Sequence, residues 1–111
     1  MDRLDRYREK IQNLLQAYLE LSGDQQDVKT ELICDTQHDH YQLVYMGWLN
    51  DRRVYGCALH LNIQDNKIWL QHNGLESDVA AELVAMGIPK TDIVLGLQLP
   101  FKRQFTEYAV G

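Results

Sequence analysis

Asp35, His38, Asp39 and His40 form the densest set of potential ligands and acid–base groups in the chain. Two carboxylates and two imidazoles suit a divalent ion or a general acid–base pair. Asp and His are also common where a chain reverses, because short polar side chains bond the local backbone. The simpler reading is a solvated hairpin turn. The chemical reading is a small metal-dependent hydrolase using Asp35, Asp39 and the nearby histidines. His60 stands on the polar phase of a strand, and a general base there needs a carboxylate in reach. His72 falls on the inward phase at a strand's end and reads as a turn or capping residue.

A second group pairs cations with aromatic rings. Arg52 and Arg53 lie between Trp48 and Tyr55 at an expected hairpin tip. Such a group can stack a base, clasp a phosphate or anchor a protein interface. Trp69 points away from Ile68 and Leu70. That implies either an interface or a second covering layer, from a helix over 77–86 or from another subunit. Trp48, Arg52, Arg53, Tyr55 and Trp69 are therefore the candidate partner-binding residues. Cys34 and Cys57 follow the apolar phase of their strands and read as buried, inert thiols. The chain has no P-loop, no Gly-x-Ser-x-Gly elbow, no Cys-x-x-Cys and no His-Glu-x-x-His. Its two serines, Ser22 and Ser77, sit at expected helix ends. No catalytic residue, cofactor site or metal site is assigned.

Hydrophobic periodicity gives the elements that must position these groups. Leu4, Tyr7, Ile11, Leu14, Tyr18 and Leu21 recur every three or four residues, predicting a helix over 3–22 that ends at Ser22-Gly23. A polar loop over 24–27 follows. Val28, Thr30, Leu32 and Cys34 alternate with Lys29, Glu31, Ile33 and Asp35 as a first strand. Gln37-His38-Asp39 turns the chain into a second strand over 41–49, and 50–53 is the next turn. The third strand, 54–63, is expected to place Tyr55, Cys57, Leu59, Leu61 and Ile63 on one face. Gly56, Ala58, His60 and Asn62 take the other. Asp65-Asn66 suits a tight hairpin into a fourth strand over 67–72. Short turns imply an antiparallel four-stranded meander, with the long N-terminal helix on one face.

A second, short helix starts at Ser77 as N-cap, runs through Val79, Leu83 and Met86, and stops at Gly87, with Pro89 beyond. Residues 93–97 form a buried run of ambiguous type, and 100–106 hold one more helical turn. The fold class is α+β, one domain over 1–111.

A length of 111 residues is one domain's worth, and 45% hydrophobic with 24% charged residues excludes wholesale disorder. Eleven basic against sixteen acidic residues give a net charge of −5, which leaves no broad cationic surface for binding DNA through its phosphates. Two cysteines are too few for a disulfide framework. The start, Met1-Asp2-Arg3-Leu4, leads into no apolar secretory region, and no apolar run approaches the roughly 20 residues of a membrane span. A reducing cytoplasm and no membrane association are the expectation. The wide apolar stripe of the first helix, with Leu95, Leu97, Leu99 and Phe101, points to a homo-oligomer.

Several runs together carry a resemblance: His40-Tyr41-Gln42-Leu43; Gly47-Trp48, then Arg52-Arg53-Val54-Tyr55-Gly56-Cys57; and Lys67-Ile68-Trp69-Leu70-Gln71-His72-Asn73-Gly74. Further along stand Glu82-Leu83-Val84 through Gly87-Ile88-Pro89-Lys90, Asp92-Ile93-Val94-Leu95, and Thr106-Glu107-Tyr108-Ala109-Val110. In these, spread over nearly the whole chain in one order, it resembles the XisI family. Those are small cyanobacterial proteins described as controlling factors for excision of a DNA element that interrupts a nitrogen-fixation gene. Tyr55 departs from an expected His, and Asn66 and Asn73 from the commoner Gly and Asp. The resemblance implies a non-enzymatic accessory factor without cofactors, acting beside a recombinase by binding a companion, XisH, of restriction-endonuclease-like fold. DNA would then be touched only indirectly. The alternatives are a factor that binds DNA directly and the metal-dependent hydrolase above.

Overall fold

The first helix, α1 (Arg3–Ser22), takes the span its periodicity predicts and buries Tyr7, Ile11, Leu14 and Leu15. The stripe gives out at its end, where Leu21 is exposed. The computed structural model describes residues 2–22 and 25–111, so the expected stop at Gly23 lies outside the described residues. Four antiparallel strands follow in order: β1 (Val28–Asp35), β2 (His40–Leu49), β3 (Arg52–Gln64) and β4 (Lys67–Asn73).

The sheet is not the expected four-stranded meander. A fifth strand, β5 (Ile93–Val94), pairs with β4 in parallel, making a mixed five-stranded sheet in the order β1-β2-β3-β4-β5. A parallel neighbour needs a crossover, and α2 (Val79–Ala85) with the 3-10 turn at Lys90–Asp92 supplies it. Two residues are too few to show a period, which is why 93–97 read only as a buried run. The last helical turn, α3 (Pro100–Arg103), falls where expected. The N-cap of α2 is Asp78 rather than Ser77, its Oδ1 accepting from the Ala81 amide at 3.0 Å.

Turn chemistry sets the strand limits. Asp65 and Asn66 both adopt the left-handed conformation (φ 53° and 64°), which a two-residue hairpin with the sheet's twist requires. The second hairpin is tighter than expected. Asn50 (φ 57°) and Asp51 make the whole turn, and Arg52 and Arg53 belong to β3. Gly47 is obligatory. At φ 153°, a Cβ there would lie 1.9 Å from the Asp27 carbonyl oxygen.

Two β-bulges correct the expected face assignments. Leu43 pairs with Leu59 while Val44 pairs with Cys57, so β3 carries Ala58 as an extra residue. His60 pairs with His72 while Leu61 pairs with Leu70, so β4 carries Gln71 as another. Each extra residue shifts the alternation by one. Tyr55 and Cys57 therefore face away from Leu59, Leu61 and Ile63, and His72 turns outward beside His60.

The core lies between α1, α2 and one sheet face. Tyr41, Leu43, Leu59, Leu61, Ile68 and Leu70 pack there against Ile11, Leu15, Val79 and Leu83. Polar clamps fix the helices. Arg8 of α1 donates to Asp39 at 2.8 Å, and Asp39 also accepts the buried Tyr41 hydroxyl at 2.9 Å. Tyr18 donates to Glu82 of α2 at 2.5 Å, and Tyr7 donates to Asp92. Burial first, and the facing carboxylate second, push the Tyr7 and Tyr18 phenols up to about 12. Among the described residues no helix is long and apolar enough to cross a membrane.

Candidate docking face

The other face of the sheet carries neither α1 nor α2, and its residues follow from strand register. Along β2 the outward side chains are His40, Gln42, Val44, Met46 and Trp48. Their β3 partners are Asn62, His60, Cys57, Tyr55 and Arg53. Trp48 and Arg53 stand directly opposite, with the guanidinium carbon 5.5 Å from the indole centroid. That is within cation–π range, worth about 0.5–1 kcal/mol at an exposed site. Tyr55 follows on the same face and is 72% exposed, while Trp48 is 49% exposed. Val44 is buried and Met46 and Cys57 are half-buried beneath them. The result is an apolar strip with a cation at one end.

Three of the five predicted residues, Trp48, Arg53 and Tyr55, thus share one surface. Arg52 pairs with Leu49 on the opposite phase and points to the other side of the hairpin tip. Trp69 is on the open face but at its far end. It faces Asn62, itself opposite His40, roughly 26 Å from Trp48 along β2 at 3.3 Å per residue. Within this chain its cover is not α2. The Arg103 guanidinium lies 5.3 Å from the Trp69 ring centroid, held by the Leu95 and Gly96 carbonyls at 3.2 and 3.3 Å. The indole N–H donates to the Gln64 carbonyl at 3.0 Å.

The Asp–His cluster comes apart. Asp35 accepts from the His38 ring at 2.8 Å and from the His38 and Gln37 amides, and these bonds hold its carboxyl below the usual range. Asp39 turns the other way, to Arg8 and Tyr41. The Arg8 guanidinium, foremost, keeps it ionised to lower pH. His40 faces His60, with Nδ1 and Nε2 3.1 Å apart. Burial, then the charges of His40 and His72, lowers the His60 pKa. Among the described residues no three His, Cys, Asp or Glu side chains gather closely enough to hold a metal. Cys34 is exposed rather than buried, yet partial desolvation of its thiol raises the pKa and so limits its reactivity.

Sequence reasoning missed Val44, Met46, Cys57 and the His40–His60 pair as parts of this surface. Period two along β2 carried the signal for the first two. The bulge at Ala58 hid Cys57 and misplaced Tyr55. A cavity of about 530 Å³ lies on the helix side, under the end of α1 near Tyr18, Leu43, Tyr45 and Leu75, and includes none of the predicted residues.

Comparison with known proteins agrees with this architecture. A family model described as XisI protein matches residues 1–110. The solved structure of a XisI-like protein from Anabaena variabilis ATCC 29413 is 47% identical, with a TM-score of 0.95, and the match covers 98% of this chain and 100% of that one. The fdxN element excision controlling factor XisI of the same organism is 39% identical, with a TM-score of 0.89, over 99% and 100% of the two chains. No curated protein matches.

Proposed function

The chain belongs to the XisI family, and from that premise we propose that it is a non-enzymatic accessory factor for excision of a DNA element, docking on an endonuclease-like companion of the XisH type. The observation that carries the reading is the open strip of Trp48, Arg53, Tyr55, Met46 and Val44. Interfaces are enriched in Trp, Tyr, Met and Arg and depleted in Lys and Glu at their centres. The strip has that composition on a face the fold does not need for its own core. DNA is reached through the companion, since a chain of net charge −5 gains little from phosphate contacts.

Calorimetric titration of the purified companion tests this. Replacing Trp48 and Arg53 together by alanine is expected to raise Kd by at least about tenfold, equivalent to about 1.4 kcal/mol. The thermal melt should stay in place. Unchanged affinity would move docking off this face, and absence of any complex at micromolar concentration would remove the companion.

A further inference from the structure

The sheet has one long unprotected edge. β1 is eight residues long, ends the sheet, and contains no proline and no bulge. Antiparallel pairing points alternate residues' N–H and C=O groups toward the neighbour. Two bonds fix the phase here. The Trp48 amide donates to the Asp27 carbonyl at 3.0 Å, so Asp27, Lys29, Glu31, Ile33 and Asp35 turn toward β2. Val28 turns outward, and its amide and carbonyl are both used by Gln25, at 2.7 and 3.1 Å. Thr30, Leu32 and Cys34 therefore present their backbone groups along the free edge. Among the described residues nothing bonds them there. Such an edge is a template for another strand.

We propose that a second copy of this chain pairs antiparallel with β1 about a twofold axis through Leu32. In that register Leu32 meets Leu32 of the second copy, and Thr30 meets Cys34, so every open edge group of both copies is used. The side chains agree with the backbone. On the open face Lys29 falls opposite Asp35 twice over, and Glu31 falls opposite Ile33. Moving the axis by one residue either way puts Glu31 against Glu31 or against Asp35, and like charges directly opposite are unfavourable. Centring on Thr30 would need the Val28 groups that Gln25 already occupies. The axis stands normal to the sheet. The dimer is then one continuous sheet with both helix layers on one side and both Trp48–Arg53 strips on the other. The inference does not depend on what those strips bind.

Sedimentation velocity of the full chain, with cross-linking, tests it. Wild type is expected to sediment as a dimer at 100 µM, on the order of ordinary assay concentrations. Thr30→Pro removes an edge donor but no bond to β2, and is expected to weaken the dimer more than about tenfold. Lys29→Glu, which sets carboxylates opposite each other, should weaken it about fivefold. Thr30→Cys, placed against the native Cys34, should give a covalent dimer on oxidation that Thr30→Cys with Cys34→Ser does not. A monomeric wild type overturns the proposal. So does a dimer indifferent to Lys29→Glu and not linked by Thr30→Cys, whatever Thr30→Pro does to folding. Companion binding is measured separately and can fail without touching this result.

Discussion

The helix-covered face of the sheet and its open face are built from alternate residues of the same strands. On β2 the covered set is Tyr41, Leu43 and Tyr45, and the open set is Gln42, Val44, Met46 and Trp48. On β3 the contrast is Leu59 and Leu61 against Tyr55, Cys57 and His60. Tyr41, Leu43, Leu59 and Leu61 pack into the core with α1 and α2 and lose nearly all contact with water, while Tyr45 is half-buried. The open ones meet neither α1 nor α2, and they include the large exposed side chains of Trp48 and Tyr55. Apolar area that stabilises no core is most simply accounted for by a second macromolecule.

The sharpest break of this contrast is a pair of truncations one bulge apart. Leu59→Ala empties a site with no exposure at all, and is expected to cost about 2–5 kcal/mol, the transfer term plus the cavity left behind. Tyr55→Ala, four residues earlier on the same strand, should stay within about 0.5 kcal/mol, as surface changes do. Urea unfolding monitored by circular dichroism reads both. A Tyr55 loss comparable to that of Leu59 would mean that the open face is part of the core.

Much of this was legible in the sequence. The six residues of the α1 stripe set that helix to its observed bounds, and Asp65-Asn66 named its own turn. The bulges were not legible. At Ala58 an apolar residue sits on either phase without penalty, so Tyr55, Cys57, Leu59, Leu61 and Ile63 look like one unbroken alternation. Only register against β2 shows the slip. The same blindness split the docking residues. Trp48 and Arg53 were identified as neighbours of a turn, but their face-to-face pairing needed the turn to close at Asn50-Asp51. Trp69 looked available because the segment that caps it, ending in Arg103, has no periodic signal of its own. β5 escaped because two residues, Ile93 and Val94, cannot display a period.

The covered face has a polar seam whose strength is set by pH. Asp39 ties α1 to β2 through Arg8 and Tyr41, and its folded pKa lies below the ordinary Asp value. A depressed carboxylate adds stability above its unfolded pKa near 3.9, and that contribution is lost as pH falls through the folded value. Asp39→Asn keeps a residue that tolerates the local φ of 59° and removes the charge. At pH 7 it is expected to cost about 1.5–3 kcal/mol, the range for hydrogen bonds to a charged group. The gap to wild type should close as both are taken below pH 4. A gap that persists in acid would show that the seam works by shape and not by charge.

The open face has a smaller pH dependence of the opposite chemical kind. His60 is held between His40 at 3.1 Å and its β4 partner His72, with Gln42 across the strand. Between the two close nitrogens one must donate and the other accept, so the contact holds one proton. A second proton would set two donors against each other. Burial reinforces this, and the His60 pKa is lowered. Since the unfolded chain then takes up a proton more readily than the folded one, stability should fall as pH drops below about 6.5. His60→Gln is expected to flatten that slope between pH 7 and pH 5, by less than either change above, while leaving the pH 7 midpoint nearly in place. Urea midpoints at the two pH values, for both proteins, read the difference. Equal slopes would mean that the pair is too well solvated to sense its own charge, leaving the Trp48–Arg53 end as the part of the open face that answers to electrostatics.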